Sequence, residues 1–251
     1  MSALGLAFIS FVCIFGATLL TMQFRGALKQ HHLNADSKDA IRLSMGVIAT
    51  MSALVLGLLI ASAKSSFDAK SSQVKQVTAQ VVLIDQLLAQ YGPEARESRV
   101  FMRVGVSALA DRIWSEGDKT TAQAGSFATN QGTEIFINSV LNLKPQTDAQ
   151  QFTKQRAINA VADLAQTRLL LYAQAGNSIP LPFLVLLVFW LTIIFASFSL
   201  FVAPNRMVVL AFFVSAFSAA GAIYLILELD RPFTGFMSIS EAPLRQALGP
   251  L

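Results

Sequence analysis

The chain has 251 residues, of which 54% are hydrophobic and 14% charged, and its mean hydropathy is +0.55. Soluble globular domains carry about 25% charged residues, so a wholly water-soluble protein is excluded. The net charge of +4 comes from Lys and Arg scattered among acids, which suits a membrane surface and not nucleic acid, and a single cysteine excludes an intrachain disulfide.

Four apolar runs hold the charge deficit: Ala3–Met22, Leu43–Ala63, Leu181–Ala203 and Met207–Leu227. None contains Asp, Glu, Lys or Arg. A spanning helix needs about 20 predominantly apolar residues, so four transmembrane helices are expected. The first has neither the basic start nor the small-x-small cleavage site of a signal peptide and reads as an uncleaved span. Cys13 lies within it and is expected to pack as a small apolar residue. Gln23–Arg42 is a short polar connection, so the first two spans form an antiparallel hairpin. Its His31-His32 pair is a poor metal site, because adjacent residues do not share a helix face and no Cys or carboxylate cluster surrounds them. Asp36 or Ser37 can cap the next helix.

The second span continues, with no Pro and no Gly after Gly57, into a polar segment that keeps helical periodicity as far as Tyr91. One long helix is expected, stopped by Gly92-Pro93. Its apolar half places Ala49, Ala53, Gly57 and Ala61 on one face by steps of four. Its polar half carries a seam of Phe67, Val74, Val77, Val81, Ile84 and Leu88.

Further helices are predicted over Pro93–Glu116, Gly132–Leu143 and Asp148–Ala175. Val100, Val104, Leu109 and Ile113 supply the apolar face of the first of these. Phe152, Ile158, Val161, Leu164, Leu171 and Tyr172 supply that of the last. Asp118–Gln131 reads as a loop, and Thr147 with Gln150 as a capping box. No period-two run predicts a strand. After the third span and a Pro204-Asn205-Arg206 turn, the fourth span shows the small pairs Ala211/Ser215/Ala219 and Ser218/Ala222. It ends in Glu228-Leu229-Asp230-Arg231-Pro232, and the tail holds a short helix, Ala242–Leu248.

The expected fold is therefore all-α: four transmembrane helices with a helical extramembrane domain inserted between the second and third. The expected segments are 1–63 (spans 3–22 and 43–63), 64–178 for the helical domain, 179–227 (spans 181–203 and 207–227) and a tail, 228–251. An even number of spans puts both termini and the polar domain on one side of the cell membrane. The four basic residues of the first hairpin, Arg25, Lys29, Lys38 and Arg42, place that hairpin in the cytoplasm by the positive-inside rule.

Three stretches carry a family resemblance: Ala53-Leu-Val-Leu-Gly-Leu-Leu-Ile-Ala-Ser-Ala-Lys64, Leu87-Leu-Ala-Gln-Tyr-Gly-Pro-Glu94 and Glu228-Leu-Asp-Arg-Pro-Phe233. With the order of two spans, helical domain and two spans, they resemble the bacterial bestrophin-like family of multi-pass membrane proteins, over nearly the whole chain. Members of that family have no agreed activity. Bestrophins themselves are pentameric anion channels gated by calcium, with cytosolic termini. The resemblance thus implies a homo-oligomer, a pentamer, in the inner membrane and passing inorganic ions. It also implies a cytoplasmic polar domain, opposite to the charge count.

Two sets of residues are candidates for function. Ala49, Ala53, Gly57 and Ala61 either line a pore in a ring of subunits or pack closely against another helix, as small-xxx-small faces do in lipid. Glu228, Asp230, Arg231 and Pro232 either contribute to a cation site or form a helix-end salt bridge and turn; two acids are few for calcium, which takes six to eight oxygens. No nucleophile elbow, phosphate loop or His-Glu-x-x-His occurs, and no ionisable group lies within a span. The sequence is accordingly not read as an enzyme, and no cofactor is expected. The expected function is an oligomeric bestrophin-like channel. The alternative is a non-conducting scaffold or sensor that docks a partner on the Phe67–Leu88 seam.

Overall fold

The computed structural model describes residues 2–24, 35–115, 131–173, 179–247 and 249, with the side chains of 35–38, 112, 115, 131, 172 and 173 excepted. The pair His31-His32, residues 118–130 of the expected Asp118–Gln131 loop and the Asp36/Ser37 cap side chains lie outside what is described, while Gln131 itself begins a helix. The helices are α1 (Ala3–Phe24), α2 (Ala35–Tyr91), α3 (Arg96–Ser115), α4 (Gln131–Leu141), α5 (Asp148–Ala173), α6 (Leu181–Phe201), α7 (Arg206–Leu229) and α8 (Ala242–Ala247). No strand occurs among the described residues, and α1, α2, α6 and α7 are each long and apolar enough to cross a membrane. The all-α architecture with four spans and a helical insert is as the sequence predicts.

The chain divides into two compact units: Met1–Ser66 with Asn177–Asp230, and Phe67–Gly176 with Arg231–Leu251. We call them the apolar and the polar unit. Helix α2 contributes residues to both.

In the apolar unit α1 packs against α6 and α7. Its buried stripe is Ala3, Ala7, Ser10, Ile14, Thr18 and Met22, mostly small residues that let helix backbones come close. The buried hydroxyls of Ser10 and Thr18 donate to the carbonyls of Leu6 and Ile14 at 2.9 and 2.8 Å, which satisfies them where water is absent. Phe11 and Phe15 of α1 meet Phe213 of α7 edge to face at 5.5 and 5.4 Å. Two expectations need correction. Cys13 is exposed, because it falls on the side of α1 away from α6 and α7. On α7 the buried small residues are Ala216 and Ala220, while Ala211, Ser215 and Ser218 face outward.

In the polar unit the α2 seam forms the centre of the core. Val77, Val81, Ile84, Leu87 and Leu88 are buried against Met102, Val106 and Ala110 of α3, with Phe136 and Val140 of α4. Ala157 and Ala160 of α5 and Leu244 of α8 complete it. The predicted faces of α3 and α5 are partly misplaced. Leu109 is buried as expected, but Val100 and Val104 are exposed, and Met102, Val106 and Ala110 are buried in their place. Phe152 is 65% exposed, with Arg156 over its ring at 5.8 Å. Ile158, Val161 and Leu164 pack against the core and Leu171 is buried, as expected, but α5 also buries Thr153, Ala157 and Ala160, small residues that let it come close. Pro93–Ala95 is a single 3-10 turn that leads into α3. Gly92 holds φ 128, a conformation other residues adopt only with strain.

Candidate functional site

The residues read as pore or packing candidates form one face of the membrane half of α2. Ala53, Gly57 and Ala61 are exposed and Ala49 is half-buried. A Cβ on Gly57 would meet no atom within 4 Å. The buried positions of this half are Ser52, Leu59 and Ala63. Of the apolar window of α2, 11% is buried, against 22% in each of the other three spans. Among the described residues, Ala53, Gly57 and Ala61 of the small face are thus left open. Thr50 is exposed alongside, and its hydroxyl donates to the Gly46 carbonyl at 3.0 Å. Ser44 does the same to Ala40 at 2.9 Å. Both protons are spent on the helix, so the oxygens offer lone pairs outward.

The C-terminal motif falls at the boundary between the units. Glu228 is buried, and Asp230 is the C-cap of α7, its N–H reaching the Ile226 carbonyl at 3.2 Å. From Arg231 onward the motif folds as a turn of the polar unit. Thr234 N–H donates to the Arg231 carbonyl at 3.3 Å, Ile239 N–H to that of buried Pro232 at 2.7 Å, and Gly235 supplies φ 101. Phe233 packs edge to face on Trp114 of α3 at 5.6 Å, and the Trp114 indole donates to the Ile239 carbonyl at 2.8 Å. Among the described residues no group of three or more His, Cys, Asp or Glu is placed to hold a metal ion.

One cluster was not anticipated from the sequence. Asp85, on α2, accepts from Arg99 of α3 through both oxygens, Nε to Oδ1 at 3.0 Å and Nη2 to Oδ2 at 2.8 Å. Arg103, one turn further on, lies 3.5 Å from Oδ1 and also donates to the Gly249 carbonyl. The Arg99 hydrogen bond holds the Asp85 carboxyl below its usual range, with the Arg charges acting against the opposing effect of burial. The same bond raises Arg99. Nearby, Arg245 of α8 pairs with Asp111 at 2.7 Å and with Glu241 at 2.9 Å. These pairs fasten α3 to α2 and to the tail. The available signal was Arg99 and Arg103 at i, i+4, which share one helix face.

Gln150 was foreseen as half of a capping box, and it does more. It receives the Thr147 cap, its N–H donating to Oγ1 at 3.2 Å. Its side-chain oxygen accepts from Gln146 N–H at 2.8 Å, and its Nε2 donates to the Tyr91 carbonyl at 3.1 Å. It thereby ties the start of α5 to the end of α2.

Comparison with known proteins fits this arrangement. The model of the bestrophin-like domain matches residues 12–244. The chain belongs to the bestrophin-like family. It is a bestrophin-like membrane protein, and its fold is also that of a crystal structure of a mutated bacterial bestrophin homologue from Klebsiella pneumoniae. The two align with a TM-score of 0.67 over 96% of each chain, at 16% identity, a likeness of fold alone. No curated protein matches the chain.

Proposed function

We propose that this bestrophin-like protein assembles as a ring of subunits, a pentamer by family likeness, and passes ions along an axis lined by the membrane half of α2. The observation that carries the reading is the open small face of Ala53, Gly57 and Ala61. A face of that kind has little to gain from lipid, whereas in a ring it leaves room for ions and water. The stretch from Leu43 to Ala63 carries no charged side chain. Such a conduit selects by size and dehydration and gates by wetting and drying. The outward oxygen of Thr50, beside the small face, is its polar station. The Glu228–Pro232 motif serves here as a structural corner that turns the end of α7 into the tail.

The alternative of a partner-binding scaffold loses its proposed surface. Of the Phe67–Leu88 seam, Val77, Val81, Ile84 and Leu88 lie in the core of the polar unit, Val74 is buried and Phe67 is half-buried, which leaves a partner little to dock on. Recording from the purified, correctly assembled protein in planar bilayers tests the reading. Discrete conductance steps are expected; silent bilayers across several salts and voltages, with ring-shaped particles present in the same preparation, contradict it.

A further inference from the structure

At the turn between α6 and α7 the chain passes through Pro204 and Asn205 into Arg206, the first residue of α7. An open cleft of about 510 Å³ begins there. Beyond the turn its lining is apolar: Val209, Leu210 and Phe213 of α7, with Phe15 of α1. Arg206, Val209, Leu210 and Phe213 follow i, i+3, i+4, i+7 and so share one helix face. Seven residues at a 1.5 Å rise make this track about 10 Å long. Its floor is fixed by the edge-to-face pair of Phe15 and Phe213, with Phe11 stacked on Phe15 at 5.6 Å.

The mouth and the track differ sharply in chemistry. Arg206 is exposed and has no ion pair or hydrogen bond among the described residues. A basic residue at the end of a spanning helix lies at headgroup level, and a guanidinium receives a phosphate through two parallel hydrogen bonds. The cleft volume lies within the roughly 300–1,000 Å³ typical of ligand sites.

We propose that this cleft binds one anionic phospholipid per chain, its phosphodiester on Arg206 and the first carbons of an acyl chain against Leu210 and Phe213. The site is built from α1, α7 and the Pro204-Asn205 turn and contains no residue of α2.

Native mass spectrometry of the intact protein, released from vesicles of equal phosphatidylglycerol and phosphatidylcholine, tests it. One phosphatidylglycerol per chain is expected to persist in preference to phosphatidylcholine. Arg206→Ala should lower that retention about five-fold, the equivalent of about 1 kcal/mol per basic residue near a membrane surface, and Arg206→Lys should recover most of it. Leu210→Trp, which fills the track and leaves the cation in place, should lower it as well. Equal retention of the two lipids, or an Arg206→Ala protein that holds phosphatidylglycerol as well as the parent, overturns the proposal. So does displacement of the lipid by millimolar inorganic phosphate, which would assign the site to a free anion.

Discussion

The two halves of α2 are one helix by backbone and opposites by environment. In the polar half the large apolar residues point inward: Val81, Ile84 and Leu88 have no exposed surface. In the membrane half they point outward: Leu43, Leu54 and Leu58 are 64–75% exposed. Water forces an amphipathic helix to hide its apolar stripe against its own chain. Lipid imposes no such demand, so the membrane half is free to keep both its large and its small faces uncovered. The difference teaches that an open small-residue face in a span is a question of what fills it, whereas an apolar seam in water is answered by the fold itself.

The largest way to sharpen this contrast is to truncate one leucine in each half. Leu88→Ala should cost about 2–5 kcal/mol, the range for emptying a packed core site. Leu58→Ala, exposed in the chain, should cost within about 0.5 kcal/mol unless a neighbouring subunit covers it. Thermal unfolding of both variants in detergent gives the comparison, and equal losses would erase it.

A smaller effect is expected at the ion pair that braces the polar half. Arg99→Ala should cost about 1–2 kcal/mol, since the bond to Asp85 is bidentate but only half-buried. Its pH dependence has a definite sign. The folded carboxyl titrates below its ordinary value of 3.8, so its contribution is complete above that value and fades as the pH falls through the lower, folded one. The gap in unfolding midpoint between the parent and Asp85→Asn should therefore be constant above about pH 5 and shrink towards pH 2. A gap that widens on acidification contradicts the assignment.

The smallest effect belongs to Tyr91, which is buried with no hydrogen-bond partner for its hydroxyl among the described residues. Burial, with a lesser contribution from Glu94, raises its pKa. Removing an unsatisfied buried hydroxyl costs nothing, so Tyr91→Phe should leave the unfolding midpoint unchanged or slightly raised.

Much of the fold was legible because long apolar runs and the α2 seam are strong periodic signals. The seam from Val74 to Leu88 was read correctly as buried. The faces of α3 and α5 were read only in part: Leu109 and Leu171 are buried as expected and Ile158, Val161 and Leu164 pack on the core, but both helices also bury small residues, Ala110, Ala157 and Ala160, whose burial depends on close approach and not on hydrophobic bulk. Val104 and Phe152 are the bulkier residues and drew the prediction to the wrong side. The small stripe of α2 was visible from its spacing alone. Its openness was not, since that depends on tertiary packing that spacing does not encode. Trp114 and Gln150 join segments far apart in sequence, and no local pattern announces such pairings; for Asp85 the one hint was the shared helix face of Arg99 and Arg103. The cleft at Arg206 escaped for the same reason: its floor needs Phe15 from the other end of the chain.

Cysteine modification at Gly57 tests the central claim most directly. In a Cys13→Ala background, Gly57→Cys protein reconstituted in planar bilayers should conduct, and a charged, water-soluble thiol reagent should then block the current within the recording. A current that the reagent leaves untouched, while the same reagent modifies an exposed extramembrane cysteine, would mean that the small face of α2 does not line the path.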